Sequence, residues 1–384
     1  MISQEEAESL CKTWGKDFEQ LFAEVEGCFA RRESCTKAKA YLRGLMSEVK
    51  RKNGWQLSER LSMRSPLGLQ RLLNEAKWEA DEVMQVSRQL LSQVAKADEF
   101  GGVGVVDESA FVKKGKHSAG VKRQYCGRLG KVENCQVGVF LGYVSVHLQG
   151  FLDRRLYLPQ DWCEDEMRCD AAQIPKAARA FKTKPELALA MLAQAWAEGI
   201  EMNWVTGDTL YGNSPSFRHG VAEQGRYYVL AVTQNHTVSY GKKQRIDSLA
   251  ESLSPDDWSL TTNRTTEHGL LEERWAFLRV GFDDQEQWLI FRQAEHEPEA
   301  YISNAPETSS AETLIQVILA RHGIERSLQE TKSELGLADY EVRYFHAWLR
   351  HMTLCLLAHT FLALCRQQQR KKNATAALRY AQSR

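Results

Sequence analysis

The sequence lacks a net charge, paired metal-binding cysteines and a membrane-length apolar run. Its 50 Lys and Arg residues balance 50 Asp and Glu residues, so affinity for a polyanion must come from local basic patches. Its nine cysteines include no C-x2-C pair, which argues against a zinc module, and their odd number favours reduced thiols in a cytosol. The longest apolar run, residues 352–365, contains His359 and is too short to span a bilayer, which predicts a core helix.

The beginning of the chain also lacks the basic-then-apolar pattern of a secretory signal. We therefore expect a cytoplasmic protein that does not associate with a membrane. A length of 384 residues allows two or three domains with a substantial core.

Acidic residues are missing from one long interval, residues 109–132. An apolar run at 103–106 and two acids, Asp107 and Glu108, come directly before it. We interpret this segment as a buried strand ending at a metal-ligand acid, then a basic glycine-containing loop and further strands. An acid among cations suits metal-assisted chemistry on a phosphate chain. The basic residues of the interval are Lys113, Lys114, Lys116, Lys122, Arg123, Arg128 and Lys131.

The rest of the chain alternates between helical and β-rich patterns. Residues 1–98 show helical periodicity, and 234–305 read as β-rich. A capping box at Thr183 and Glu186 predicts a helix, and a short strand at 202–205 leads to a second strand-end acid, Asp208. Three helices are predicted after residue 305: one from a capping box at Ser309, one around residues 324–337 and one from about residue 343. Residues 366–384 contain six basic and no acidic residues, which predicts a frayed helix end or a flexible DNA-contacting extension.

A third acid completes the candidate site. Glu325 follows Arg321 by four residues and precedes Lys332 by seven, so all three project to one side if the helix continues through Gly323. Glu330 and Glu334 are the alternatives to Glu325 if this register is wrong. Glu108 is expected to be a neighbour of the site rather than a ligand, whereas Tyr211 could equally contact DNA or pack in the core.

Three segments together resemble the DDE superfamily of bacterial insertion-sequence transposases, in its IS-four-like group and the IS-seven-hundred-one-like branch. They are VVDESAFVKKGKHSAGVKRQYCGRLGKVENCQVGV with Asp107, VTGDTLYG with Asp208, and RHGIERSLQETKSELGLADYEVR with Glu325. The group's helix signature, Y-x2-R-x3-E-x6-K, is matched in register by Arg321, Glu325 and Lys332. Ile318 replaces its tyrosine, which puts that tyrosine's DNA contact in doubt.

The resemblance implies an α/β protein with an RNase H-like catalytic core. An all-helical N-terminal DNA-binding domain (1–98) would precede the core (99–233 and 306–366), a β-rich insertion (234–305) would interrupt it, and a basic tail (367–384) would follow. Asp107, Asp208 and Glu325 would be catalytic and would bind two Mg²⁺ ions, for which Mn²⁺ would substitute. Trp275 or Trp288 of the insertion could stack on an unpaired base, although strand tryptophans more often pack in a core. Phosphates would be held by Lys113, Lys114, Lys116, Arg321 and Lys332.

The function implied is DNA transposition. The protein would bind terminal inverted repeats in double-stranded DNA as a homodimer, cleave the element ends and transfer the strands to target DNA, as a cytoplasmic, nucleoid-associated protein. A catalytically silent DNA-binding descendant is one alternative, which the presence of all three acids disfavours. A metal-dependent nuclease without strand transfer is another, and the R-x3-E-x6-K helix argues against it.

Overall fold

The structure is a computed structural model that describes residues 4–95, 101–266, 269–293 and 298–382. The N-terminal part is helical: α1 (Gln4–Glu26), α2 (Arg32–Leu45), α3 (Gly54–Arg60), α4 (Leu67–Asn74) and α5 (Ala80–Ala95). A mixed segment follows: β1 (Val103–Val112), β2 (Lys122–Cys126), β3 (Lys131–Val144), β4 (Gln149–Leu156), α6 (Gln160–Cys163), α7 (Glu166–Ala171), α8 (Lys184–Ala197), β5 (Trp204–Gly207), α9 (Thr209–Gly212), α10 (Pro215–Glu223) and β6 (Tyr227–Val232). The rest comprises β7 (Thr237–Tyr240), β8 (Lys242–Arg245), α11 (Ile246–Ser252), β9 (Leu260–Thr266), β10 (Gly269–Phe282), β11 (Gln285–Gln293), β12 (Glu299–Ser303), α12 (Ala311–Glu334) and α13 (Phe345–Gln382).

The central sheet has the strand order of an RNase H-like core. Strands β4, β3, β1, β5 and β6 lie side by side in that order. The first three are antiparallel, and β1, β5 and β6 are parallel. The crossover from β1 to β5 includes α8, which begins at the predicted capping box of Thr183 and Glu186. The expected fold class is confirmed.

The sequence pattern predicted that the strand of Asp107 ends at this residue, and this prediction is wrong. The parallel pairing of β1 with β5 stops at Val106 opposite Gly207, but the antiparallel pairing with β3 continues to Val112. Asp107 therefore lies where β1 loses one of its two neighbours. Asp208 does follow the end of its strand, β5, as predicted.

The β-rich segment after β6 extends the same sheet. Strand β12 pairs with β6, and β11, β10 and the β7–β8 hairpin follow outward. Trp275 on β10 is fully buried and donates a hydrogen bond from Nε1 to Thr262 Oγ1 at 2.9 Å. The predicted β content is therefore present, and this segment is continuous with the core sheet.

The N-terminal helices share one hydrophobic core with α13. Phe18 of α1 packs edge-on against Phe361 of α13, with ring centroids 5.5 Å apart. The buried Arg350 donates hydrogen bonds to the backbone oxygens of Leu73 and Trp78 at 2.9 and 2.8 Å. The helical character of this part agrees with the prediction, and the division of the chain into domains stays a prediction.

The C-terminal helices differ from the prediction in their number and length. The first two predicted helices form a single helix, α12, which runs through Gly323 and is capped by Ser310 rather than Ser309. The predicted basic tail continues α13 as a helix to Gln382. Within α13, Phe345–Asn373 is long and apolar enough to cross a membrane, but 83% of its most apolar window is buried inside the protein. It is a core helix, as predicted.

Candidate functional site

The two aspartates lie on neighbouring parallel strands. Asp107 and Asp208 directly follow Val106 and Gly207, which are partners across β1 and β5. The Asp208 carboxylate accepts a hydrogen bond from Leu210 N at 2.9 Å and so caps the short helix α9. Burial raises the pKa of Asp107 to about 7, and Glu108 and Asp208 act in the same direction against the opposing charge of Arg321. Burial also raises the pKa of Asp208.

Gly207 permits this close approach of the strands. A Cβ atom on Gly207 would lie 2.7 Å from Val106 Cγ2 and 3.0 Å from Tyr211 Cδ2. Both neighbours are fully buried. A side chain at this position would therefore force β1 and α9 away from β5.

Arg321 on α12 connects Glu325 with the two aspartates. Its Nη2 lies 2.9 Å from Glu325 Oε1. Although burial opposes it, the charges of Glu325, Asp107 and Asp208 raise the pKa of Arg321. The i, i+4 spacing puts Arg321 and Glu325 on the same side of α12, as predicted, and there they form an ion pair. Helix α12 packs on β1 and β5, so Arg321 and Glu325 lie on a helix in contact with the strand that contains Asp107 and the strand that precedes Asp208.

His322 is a residue of this site that sequence reasoning missed. Its Nδ1 lies 3.4 Å from Glu325 Oε2, and its Nε2 lies 3.4 Å from Arg292 Nη1. Because an arginine can only donate, this contact favours the tautomer in which Nδ1 carries the proton and donates to Glu325. Arg292 is held in turn by the buried carboxylate of Glu273 at 2.6 Å. The hydrogen bond from His322 and the charge of Arg321 lower the pKa of Glu325.

The other acids of the region have different partners. Glu330 accepts a hydrogen bond from Arg366 of α13 at 2.9 Å, and Glu334 is exposed. Glu108 pairs with Lys184 at 2.9 Å and accepts a hydrogen bond from Tyr211 at 3.1 Å. The fully buried Tyr211 therefore packs and supports Glu108. These contacts favour Glu325 over its two rivals, and its assignment stays a prediction.

The donor chemistry of the site fits a divalent cation. Asp107, Asp208 and Glu325 offer carboxylate oxygens, the ligands that hard ions such as Mg²⁺ prefer. Among the residues that the structure describes, however, no three His, Cys, Asp or Glu side chains form a group that could hold a metal ion as they stand. Arg321 supplies positive charge to all three carboxylates in this arrangement.

The predicted phosphate-binding lysines fall into three environments. Lys114 and Lys116 are exposed on the loop after β1. Lys332 is half-buried, with its Nζ 5.9 Å from the centre of the Phe111 ring. The ammonium of Lys113 is engaged within the protein: it lies 3.3 Å from the centre of the Tyr340 ring and donates to the Tyr340 backbone oxygen at 3.1 Å. Burial lowers the pKa of Lys113 to about 7. The structure thus gives Lys113 a packing role in place of an open phosphate contact.

A cavity of 1220 Å³ opens beside Asp208 and Arg321. Residues of the β-rich segment, including Arg245 and Trp258, also line it. Its volume is larger than that of typical small-molecule pockets, which is about 300–1,000 Å³. Neither Trp275 nor Trp288 lines it. Trp275 is in the core, and Trp288 is half-buried and donates to Pro306 O at 3.1 Å.

Comparison with known proteins agrees with this fold. The family described as DDE superfamily endonuclease matches residues 24–253, more than half of the chain. The family described as Transposase DDE domain matches residues 183–361. The chain therefore belongs to the DDE superfamily of endonucleases.

A more specific similarity comes from a relative in Microchaete diplosiphon, named "Probable transposase for insertion sequence element IS701". It is 25% identical over 308 residues, which cover 79% of this chain and 75% of the relative. Together with the family matches, this similarity supports a DDE transposase of the IS701-like kind, as the sequence motifs implied. DDE enzymes depend on divalent metal ions and act on DNA, and the family indicates a soluble cytoplasmic protein.

Proposed function

We propose that this transposase binds the terminal inverted repeats of its own element, cleaves the element ends and joins them to target DNA. Asp107, Asp208 and Glu325 would hold two divalent ions, Mg²⁺ in the cell, with Mn²⁺ able to substitute. Such a pair of ions activates an attacking water or 3′-hydroxyl and stabilises the leaving oxygen of an in-line displacement.

The observation that carries this proposal is the position of Arg321. One guanidinium pairs with Glu325 and is also influenced by the charges of both aspartates, which lie more than a hundred positions earlier in the chain. A guanidinium there is suited to a phosphate oxygen, which it can bind with two parallel hydrogen bonds. Binding of DNA would draw Arg321 toward phosphate and release Glu325 for the metal.

The side chains around the acids have supporting roles. Lys184 and Tyr211 both bind the Glu108 carboxylate, so Glu108 would contribute negative charge without being required as a ligand. His322 donates to Glu325 and restricts its rotamer. Each of these contacts would reduce the reorganisation that the site needs when DNA binds.

DNA contacts would come from Lys114, Lys116, Arg321 and Lys332, which would bind phosphates and carry little sequence information. Lys113 is left out because Tyr340 already contacts its ammonium. In the cavity, the half-buried Trp258 is a better candidate for stacking on an unpaired base than Trp275 or Trp288, because it shares the cavity with Asp208 and Arg321.

The same proposal includes a homodimer on DNA, because two element ends must be cut and joined together, and association with the nucleoid. A silent descendant that only binds DNA would need neither the acids nor the Arg321 contact. A simple nuclease would cut DNA but would not join a 3′ end to a target.

A strand-joining assay separates these three functions. A duplex that ends in the element's processed 3′-hydroxyl is incubated with a supercoiled plasmid and Mg²⁺. We expect the wild type to give plasmid joined to the labelled end, and Asp208→Asn to bind the duplex without joining it. Asp284→Asn, at an exposed turn of the β-rich segment, is the matched control and should join normally. Nicked plasmid without joining would indicate a nuclease, and specific binding without either product would indicate the silent descendant.

A further inference from the structure

The hairpin formed by β2 and β3 presents an exposed apolar cluster away from the acidic site. Tyr125 and Val132 are partners across the two strands, and their side chains are 64% and 53% exposed. Leu129, in the turn between them, is 45% exposed. Single exposed apolar residues are ordinary on protein surfaces, but three on one short hairpin form a patch that favours a partner.

The opposite face of the hairpin is fixed to the core. Cys126 and Cys135 are buried there with Val137. The strands pair without interruption from Lys122 opposite Cys135 to Cys126 opposite Lys131. The patch is therefore held in place before any partner binds, which lowers the entropy lost on binding.

The preceding loop, between β1 and β2, is also held in position. Asn134 Nδ2 donates to the backbone oxygens of Lys113 and Gly115 at 2.6 and 3.0 Å. Gln136 Nε2 donates to Ala119 O at 2.6 Å. The exposed Lys114 and Lys116 therefore project from a fixed backbone, between Asp107 and the hairpin along the chain.

The chain segment that carries the patch is basic, and Asp161, which pairs with Lys122 of β2 at 3.0 Å, comes from outside this segment. No acidic residue occurs between positions 109 and 132, and Arg123 lies two residues before Tyr125, on the same face of β2. The first acid after this interval, Glu133, is engaged by Lys131 at 3.7 Å and by its neighbour Asn134 N at 3.0 Å. An apolar patch flanked by Arg123 and by the exposed loop lysines is complementary to a partner that combines phosphates with an apolar interior.

We propose that the β2–β3 hairpin is a groove-binding ribbon for duplex DNA. Tyr125, Leu129 and Val132 would contact base edges, while Arg123 and the loop lysines bind the flanking phosphates. The major groove is about 12 Å wide and admits a two-stranded ribbon, and thymine methyl groups offer apolar contacts there. This inference rests on the proposed transposase function and assigns a second DNA contact, separate from the acids.

The register of the sheet gives the distance between the two contacts. Asp107 is opposite Phe140, and nine residues separate Phe140 from Lys131 at the hairpin turn. At about 3.3 Å per residue this is roughly 30 Å. A duplex that runs along the strands rises about 3.4 Å per base pair, so the hairpin would reach bases about nine pairs from the cleaved phosphate.

Crosslinking from the hairpin tests the proposal. The photoreactive residue p-benzoylphenylalanine is placed at position 125 of the full chain, and in a control at exposed Met167. Each protein is irradiated with a labelled duplex that carries the element's end and its flank. We expect crosslinks from position 125 at bases about nine pairs from the cleaved phosphate, and none from position 167. In parallel, Tyr125→Ser with Val132→Ser should weaken duplex binding about tenfold, whereas Tyr125→Phe and Met167→Ser should not.

The outcomes separate this proposal from the proposed function. Cleavage and joining by the wild type without any crosslink from position 125 to DNA would overturn the hairpin's role and leave the transposase function standing. Crosslinks from position 125 to a second copy of the protein would also overturn it and would make the hairpin a dimer contact. Failure of the wild type to bind or cut the end duplex would overturn both.

Discussion

Replacement of Gly207 by alanine should separate the two aspartates without changing any charged group. The new Cβ would lie 2.7 Å from Val106 Cγ2 and 3.3 Å from Val106 O. Carbon atoms in contact are about 3.5–4.0 Å apart, so β1 and β5 would have to part by roughly 0.8 Å or more. Val106 cannot rotate away easily, because it is β-branched and fully buried.

The size of the effect follows from this displacement. A misplacement of about 1 Å in a catalytic site can cost about 100-fold in rate. Overpacking of a buried position costs about 1–3 kcal/mol of stability. We therefore expect Gly207→Ala to lower end cleavage about 100-fold and to lower the free energy of unfolding by about 1–3 kcal/mol, with DNA affinity changed little.

The assay compares single-turnover cleavage, duplex binding and urea unfolding for the wild type and Gly207→Ala. Gly15→Ala is the matched control, since Gly15 lies in α1 with nothing within 4 Å of its added Cβ and should be neutral or stabilising. If Gly207→Ala folds and cleaves the end duplex at the wild-type rate, the link between strand spacing and catalysis is refuted.

Three further predictions concern single side chains. Lys113→Met should lower the free energy of unfolding by about 1–2 kcal/mol, through loss of the contact with Tyr340, and leave duplex affinity unchanged. Lys114→Met should weaken duplex binding and leave the free energy of unfolding unchanged. Urea unfolding and gel-shift titrations compare the two variants. His359 is buried with no hydrogen-bond partner for its ring among the described residues, and burial lowers its pKa to about 4. Below pH 6.5 the unfolded state therefore binds more protons than the folded state, and the wild type should lose stability as pH falls from 6.5 toward 4. His359 should account for about 2 kcal/mol of this loss at pH 5. Urea unfolding should show a smaller loss for His359→Leu than for the wild type over the same pH range. Trp258→Ala should weaken binding to a duplex with an unpaired end base about fivefold or more and leave binding to a fully paired duplex unchanged; equal losses for both would exclude stacking.

The sequence predicted the local structure near Asp208 and Glu325, because the residues that determine it lie within a few positions of one another. The capping box at Thr183 and the strand that ends before Asp208 were both predicted, since each is encoded within a few residues. The four-residue spacing of Arg321 and Glu325 likewise predicted that both project to the same side of the helix, where they are in contact.

The features that the sequence did not indicate depend on distant partners. The strand of Asp107 continues because β3 pairs with it beyond the end of the parallel pairing, which a single strand's pattern does not indicate. Lys113 resembles the other loop lysines in sequence, and only the fold brings Tyr340 against it. The contact of His322 with Arg292 depends on a strand in the β-rich segment, about thirty residues earlier in the chain.

In the proposed function, Glu325 completes the catalytic triad with Asp107 and Asp208. The most direct measurement is metal-dependent cleavage of a labelled end duplex, with Mg²⁺ or Mn²⁺, by the wild type, Glu325→Gln and Glu330→Gln. We expect the wild type and Glu330→Gln to cleave, because Glu330 is paired with Arg366, and we expect Glu325→Gln to bind the duplex without cleaving it. Cleavage by Glu325→Gln at the wild-type rate would exclude Glu325 as the third catalytic acid.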